Sequence, residues 1–242
     1  MKSWFFHILI GTGLTIAACN PNPGSMTRAA EVKNLTETDS ERQFEQEIQT
    51  FEREEADSPS TRGAIVFTGS SSIARWKTLS HDMAPATVIN RGFGGSGIRQ
   101  VTFFAPRILL PLKPKAIFFY CGENDICNDH SKATQPLEDY KNFVALIRQH
   151  LPDARVYYIG MKPSPNRWKY WDKFQEANRL IQEFSKEERG LRYVDLSKSM
   201  LAADGFPRKD IWLQDSLHLN ELGYQLWTSQ LKPLVWSEFK SR

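Results

Sequence analysis

Short apolar runs rich in β-forming residues alternate along the chain with segments of helical periodicity. The runs lie at 64–68, 88–93, 115–121, 155–161 and 191–196. One intervening segment carries apolar residues at helical spacing, namely Leu137, Tyr140, Val144, Ile147 and Leu151. Continuous apolar strands that alternate with amphipathic helices are typical of a parallel sheet with helices on both faces. The pattern therefore predicts an α/β fold built on a parallel sheet of about five strands.

Three further helices are expected outside that segment. Ser40 and Gln43 fit a capping box at the start of a helix over residues 40–56. A later helix is indicated by the spacing of Phe174, Ala177, Ile181 and Phe184. The last helix is predicted to begin near Asn220, and Pro233 is expected to break or kink it.

Length and charge limit the classes of protein that this chain can belong to. With 242 residues, of which 40% are hydrophobic, the chain can bury one sizeable core, and no internal repeat or second domain is visible. The net charge of +3 is the small difference between 31 basic and 28 acidic side chains that are spread along the sequence. Nucleic-acid binding usually needs a clustered basic face, so this composition gives it no support. We predict a single domain over residues 40–242.

The N-terminal residues have the pattern of a targeting segment. Lys2 precedes a mostly apolar stretch at 4–18 that is too short to span a bilayer as a mature helix. This stretch ends in "IAAC" and resembles the lipobox of bacterial lipoprotein signal peptides; the alternative is an ordinary secretory signal followed by a chance cysteine. We expect residues 1–18 to be removed, Cys19 to be lipidated and 19–39 to form a flexible tether. The resemblance implies a lipid-anchored protein of the bacterial cell envelope, facing the periplasm or the exterior.

Short segments rich in glycine and polar residues follow three of the predicted strands, and a further polar segment lies near the C-terminus. The segments are "GSSS" at 69–72, "NRGFGGSG" at 90–97, "CGEND" at 121–125 and "DSLHLN" at 215–220. In open α/β sheets the functional site lies at the carboxyl ends of the strands. These segments are therefore expected to meet at one edge of the sheet.

Three of these segments contain further residue types that acyl transfer needs. Asp215 and His218 are three residues apart, so that one turn can bring the carboxylate to the imidazole, as in a Ser-His-Asp triad. Gly95 allows a backbone N–H to approach closely, and Asn124 offers a side-chain amide, which are the usual donors to an oxyanion. Each residue also has a structural alternative, because Asp215 can cap a turn and Gly95 and Asn124 are common turn residues.

Together the four segments resemble the blocks of the SGNH, or GDSL-type, hydrolase family. "FTGSSSI", "NRGFGGS", "GEND" and "DSLH" follow in the family's order, and the resemblance spans about 62–232. It implies a flavodoxin-like three-layer α/β/α sandwich and ester hydrolysis by a catalytic serine, without metal or organic cofactor. The competing nucleophile elbow of α/β-hydrolases requires G-x-S-x-G, which the chain lacks.

The resemblance also selects one of the three serines. The family's first block reads Gly-Asp-Ser, which makes Ser71 the nucleophile and a backbone donor to the oxyanion, beside Gly95 and Asn124. Ser70 then stands where the family has aspartate, so that the loop lacks a local carboxylate acceptor. Ser72 is the alternative nucleophile, and otherwise its hydroxyl is expected to cap the following helix.

Three residues near the motifs are candidates for substrate contact. Trp76 and Trp168 could stack on a sugar ring or an acyl chain, and Arg167 could contact a polar or anionic group. Core packing of the aromatic rings and a solvated arginine are the structural alternatives.

The two remaining cysteines, Cys121 and Cys127, bracket Asn124 closely. Two thiols without a histidine cluster do not make a zinc site. We expect both to be free, because the geometry of a disulfide would be hard to satisfy across this turn.

The sequence therefore predicts a serine esterase that acts on carbohydrate O-acetyl or other short acyl esters. Within the same triad chemistry, a lysophospholipase, a thioesterase and an acyltransferase are alternatives. A catalytically inactive, envelope-binding lipoprotein is the alternative from another class. The retention of Ser71, Gly95, Asn124, Asp215 and His218 together argues against it.

Overall fold

The computed structural model describes residues 1, 36, 38–60 and 62–240 of the chain. The predicted signal peptide, the lipidation site Cys19 and most of the predicted tether lie outside these residues. Among the described residues, five strands form one sheet in the order β2-β1-β3-β4-β5, and every pair is parallel. The strands are β1 (Ile65–Gly69), β2 (Val88–Gly92), β3 (Ala116–Tyr120), β4 (Arg155–Ile159) and β5 (Leu191–Val194). The predicted parallel sheet is thus confirmed. Each strand either is shorter than the apolar run that indicated it or is shifted from that run by one or two residues.

Ten α-helices surround the sheet within the described part of the chain. They are α1 (Asp39–Arg42), α2 (Glu45–Asp57), α3 (Ser71–Ala74), α4 (Leu79–Met83), α5 (Ile98–Ile108), α6 (Glu123–Ile126), α7 (Gln135–His150), α8 (Trp171–Glu187), α9 (Ser197–Met200) and α10 (Glu221–Lys240). Two 3₁₀ helices lie at Leu110–Leu112 and Pro165–Tyr170. None of these helices is both long enough and apolar enough to cross a membrane.

The helices cover both faces of the sheet and create two hydrophobic cores. Successive strand residues point to opposite faces, so Val66 packs with the core under α2, α5 and α7, whereas Ile65 and Phe67 pack with the core under α3, α4 and α10. This arrangement confirms the predicted three-layer α/β/α sandwich.

Two of the predicted helices differ in detail. The helix expected over 40–56 is divided into α1 and α2 by a turn, and its first cap is Thr38, which forms a capping box with Glu41. Pro233 does not break the last helix, because α10 continues through it to Lys240. Pro233 is exposed to solvent, where water can hydrate the carbonyl group that loses its N–H partner.

The strand register brings three loops to one edge of the sheet. Gly69, the last residue of β1, lies level with Gly92 of β2 and with Tyr120 of β3. Gly69 has a φ of +129°, and an added Cβ would lie 1.9 Å from the carbonyl oxygen of Tyr120. Only glycine is compatible with this close approach, which positions the serine run beside the loop that follows β3.

Candidate active site

Ser71 is the serine of the run that faces a histidine. It is the first residue of α3, directly after β1, and its Oγ lies 2.9 Å from Nε2 of His218. Ser72 is buried, and its Oγ has no hydrogen-bond partner among the described residues. The expectation that Ser72 caps the helix is wrong, because the N-cap position belongs to Ser70.

His218 is held by a carboxylate on its other side. Nδ1 of His218 lies 2.6 Å from Oδ2 of Asp215, and Oδ1 of Asp215 accepts the backbone N–H groups of Leu217 and His218 at 3.0 and 2.9 Å. Burial works to raise the pKa of Asp215, but the hydrogen bonds from His218 and Leu217 prevail and hold that pKa well below its ordinary value. Asp215 therefore carries the negative charge needed to orient the imidazole ring and to stabilise its protonated form.

The side chain of Asn124 lies at the serine loop with its amide fixed from both ends. Its Nδ2 donates to Oγ of Ser70 and to the carbonyl oxygen of Ser96, each at 2.9 Å. Its Oδ1 accepts from Nη2 of Arg167 at 2.7 Å. Because a guanidinium group can only donate, this contact sets which end of the amide faces the serines. The nitrogen end is the one turned towards the reacting centre.

A buried cluster of charges stands behind Asn124. Glu123 is 5% exposed, and its Oε1 accepts from Nζ of Lys162 at 2.9 Å. Its Oε2 accepts a hydrogen bond from Nη1 of Arg167 at 2.9 Å, and its carboxylate also accepts a hydrogen bond from the hydroxyl of Tyr120. Burial opposes the charge on Glu123, yet Lys162 and Arg167 together hold its pKa below the ordinary value. Through Arg167, the cluster thus links Asn124, the candidate side-chain donor to the oxyanion, to the core of the sheet.

This charge cluster is not evident in the sequence. Glu123 and Lys162 are 39 residues apart, and neither spacing nor composition predicts that they meet. The sequence features that could have indicated the cluster are the glutamate inside the "GEND" block and a single lysine directly after an apolar strand. A charged residue in that position, at the carboxyl end of a buried strand, needs a buried partner.

The three residues proposed for substrate contact have different surroundings. The ring of Trp76 is 1% exposed and packs in the core against Phe67, Tyr224 and Trp227, so it presents almost no surface for stacking. Trp168 is partly exposed and stacks on Trp171. Arg167 lies close to the catalytic residues, but its guanidinium is engaged by Glu123 and Asn124 rather than extended into solvent.

The catalytic residues open into a groove of about 890 Å³, here called the catalytic groove. Ser71, Gly95, Asn124, Arg167 and His218 line it at one end. Gly95 has a φ of +84°, a left-handed conformation that side chains rarely adopt. The structure therefore brings Ser71, Gly95, Asn124 and His218, which the sequence indicated for acyl transfer, together with Arg167 in one groove.

Cys121 and Cys127 are both free thiols in the structure. Burial raises the pKa of the Cys121 thiol well above its ordinary value, which makes this group a poor nucleophile. Within the described residues, no group of three or more His, Cys, Asp or Glu side chains lies close enough to hold a metal ion.

Comparisons with known proteins agree with this arrangement. The sequence model described as "GDSL-like Lipase/Acylhydrolase family" matches residues 58–226. A search of curated proteins finds no match.

Solved structures show the same fold at low sequence identity. A GDSL-like lipase from Bacteroides thetaiotaomicron is 17% identical, with a TM-score of 0.65 over 78% of this chain and 97% of that one. The lipase/acylhydrolase from Enterococcus faecalis is 21% identical, with a TM-score of 0.61 over 75% and 99% of the two chains. A carbohydrate esterase of family 3 from Talaromyces cellulolyticus is 18% identical, with a TM-score of 0.57 over 73% and 98%.

Proposed function

The chain belongs to the GDSL-like lipase/acylhydrolase family, and from this membership we propose that it hydrolyses carboxylic esters with Ser71 as nucleophile, His218 as base and Asp215 as the group that orients His218. The observation that carries the proposal is the unbroken series of contacts from Oγ of Ser71 through His218 to Asp215, at 2.9 and 2.6 Å. These distances are within hydrogen-bond reach, as proton transfer from the serine requires.

The first half of the reaction forms an acyl-enzyme. Oγ of Ser71 attacks the ester carbonyl carbon while Nε2 of His218 takes the serine proton. The tetrahedral intermediate then collapses, the bond to the leaving alcohol breaks, and the protonated His218 gives its proton to the departing oxygen. In the second half a water molecule, deprotonated by His218, attacks the acyl group and releases the carboxylic acid.

The proposed oxyanion donors surround the point where the negative charge develops. They are the backbone N–H groups of Ser71 and Gly95 and the Nδ2 group of Asn124. The N–H of Ser71, at the first position of α3, has no acceptor within its own helix. The Nδ2 group of Asn124 can exchange its neutral bond to Ser70 for a stronger bond to the oxyanion.

We further propose that the natural substrates are carbohydrate O-acetyl or other short acyl esters. The catalytic groove has a mixed lining in which Glu47, Glu54, Arg75 and Lys77 stand among apolar side chains. A long hydrocarbon chain would cover these charged groups without replacing their hydrogen bonds, which supports a short acyl group. If Cys19 is lipidated as its lipobox-like surroundings suggest, the enzyme acts from a lipid anchor in the cell envelope.

The serine run supplies its own matched control for this proposal. Hydrolysis of p-nitrophenyl acetate should be abolished in Ser71→Ala and retained in Ser72→Ala, because Oγ of Ser72 is buried and bonded to no other described group. Asn124→Ala should lower kcat by about 10²–10³, the usual loss for one oxyanion donor. A fluorophosphonate should lose fluoride and add the mass of its phosphonyl group to the peptide that carries Ser71 in the wild type and in Ser72→Ala, but not in Ser71→Ala. Full activity in a folded Ser71→Ala protein would contradict the assignment.

A further inference from the structure

The catalytic groove extends well beyond the triad along the free edge of the sheet. β2 is the edge strand, and Val88, Asn90 and Gly92 line the groove along its length. Four residue steps from Gly92 to Val88 correspond to about 13 Å at roughly 3.3 Å per residue. An acetyl group occupies only the catalytic end of such a groove, so the remainder is available to another part of the substrate.

One wall of the groove is formed by α2, which precedes the residues that the family model matches. The match begins at residue 58, whereas the wall consists of Glu47, Thr50, Phe51 and Glu54. This wall therefore lies outside the residues that the family model matches.

Buried contacts and ion pairs hold α2 in place. Ile48 is fully buried in the core, and Arg107 of α5 binds Glu45 at 2.6 Å and Glu52 at 2.7 Å. Arg91 of β2 binds Glu55 at 3.1 Å and lies over the ring of Phe51 at 5.2 Å. The helix is thus a fixed wall of the groove and not a loosely attached segment.

Charged and polar side chains stand among the apolar ones on both sides of the groove. Glu47 and Glu54 lie on the α2 side, and Arg75, Lys77 and Ser80 lie on the opposite side. Covering such groups with hydrocarbon would remove them from water without replacing their hydrogen bonds, which is unfavourable. Hydroxyl groups, in contrast, can donate to the carboxylates and accept from the arginine and the lysine.

We propose that α2 and the edge of β2 form a subsite for the alcohol part of the ester, and that this alcohol is a polyhydroxylated group such as an oligosaccharide. The proposal rests on the ester hydrolysis proposed above and specifies which part of the substrate occupies the groove. The acyl group is then short, because the long part of the groove is taken by the alcohol.

The test compares three esters on the wild type and on two tryptophan variants. Glu47→Trp places a bulky ring in the groove, whereas Gln49→Trp places the same ring on an exposed position of α2 that does not line it. The esters are p-nitrophenyl acetate, p-nitrophenyl octanoate and an O-acetylated xylo-oligosaccharide. We expect Glu47→Trp to lower the ratio of kcat/KM for the acetylated oligosaccharide to kcat/KM for p-nitrophenyl acetate by about ten-fold or more, and we expect Gln49→Trp to leave both values unchanged.

The outcomes separate this inference from the proposed function. Preference for octanoate over acetate in the wild type, lost in Glu47→Trp, would place the acyl chain in the groove and overturn the subsite. The subsite would also be overturned if the wild type and Glu47→Trp hydrolysed the acetylated oligosaccharide equally well. A wild type that hydrolyses none of the three esters would instead contradict the esterase proposal itself.

Discussion

Replacing Arg167 by methionine is expected to lower kcat about ten- to hundred-fold with little change in KM. In the structure, Arg167 donates to Oδ1 of Asn124 at 2.7 Å and to Glu123 at 2.9 Å. Methionine keeps the unbranched, apolar stem but removes both donors. The amide of Asn124 then loses the contact that determines which of its ends faces the serine, and a flipped amide presents oxygen where the oxyanion needs a donor.

The size of the effect follows from the type of hydrogen bond that is lost. A hydrogen bond from a charged donor contributes about 1.5–3 kcal/mol, and each 1.4 kcal/mol or so corresponds to roughly ten-fold in rate. The upper limit is set by complete loss of one oxyanion donor, about 10²–10³ in kcat. Glu123 keeps Lys162 as a buried cationic partner at 2.9 Å, so the domain is expected to remain folded.

Steady-state kinetics on p-nitrophenyl acetate can measure this effect within a double-mutant cycle. In an Asn124→Ala background, Arg167→Met should cost little further activity, because the side chain that Arg167 positions is already absent. Arg179→Met is the matched control, since Arg179 also donates to two side chains, Glu176 and Glu183, but lies on the exposed face of α8.

Two results would contradict this reasoning. If KM rose while kcat stayed unchanged, Arg167 would bind the substrate directly, as the sequence alone suggested. If the effects of Arg167→Met and Asn124→Ala simply multiplied, the arginine would act independently of the oxyanion donor.

Four further predictions concern charge, pH and the N-terminus. Lys162→Met should destabilise the domain by about 3–5 kcal/mol in urea unfolding, because it removes one partner of a buried ion pair; an unchanged midpoint would contradict this. The folded state holds the pKa of Glu123 below its ordinary 4.5, so its stabilising contribution should be complete above that pH and lost as the pH falls through the lower, folded value; Glu123→Gln should lose this acid dependence. The hydrogen bonds from His218 and Leu217 outweigh burial and hold the pKa of Asp215 well below its ordinary value, so this carboxylate should stay ionised in mild acid; uptake of a proton by Asp215 near pH 4 in an NMR titration would contradict this. Mass spectrometry of the mature protein should find Cys19 at its N-terminus carrying acyl groups, and an intact Met1 would exclude this.

The sheet and the meeting of the candidate catalytic side chains could be predicted because their signals are local in the sequence. Each strand is a continuous apolar run, and each catalytic side chain directly follows a strand or lies within one turn of its partner, as with Asp215 and His218. Parallel strands then bring these ends together regardless of the details of packing.

The remaining features depend on contacts between distant residues. Arg167 meets Asn124 across 43 positions, and no spacing rule distinguishes it from a solvated arginine. Likewise, the position of Trp76 after the serine run predicts an aromatic ring that contacts the substrate, but packing against Tyr224 buries this ring. The helix α2 could be predicted from its periodicity, but its place beside the groove follows from ion pairs with Arg91 and Arg107 that only the folded chain reveals.

The position of α2 ahead of the catalytic strands has a consequence for how this enzyme could diversify. The helix is joined to β1 by the short segment 58–64, and the proposed catalytic residues Ser71, Asp215 and His218 all follow it in the chain. Changes in Glu47, Thr50 or Glu54 alter the wall of the groove without disturbing the loops at the strand ends. In those loops a substitution such as that of Gly69 is sterically blocked, because an added Cβ would collide with the backbone of Tyr120. One wall of the proposed subsite and the proposed catalytic residues are thus encoded in separate stretches of the gene. On the proposed assignment, exchange of residues 45–57 between related chains, with the arginines that anchor them retained, changes the preferred alcohol while leaving the rate of attack by the serine intact.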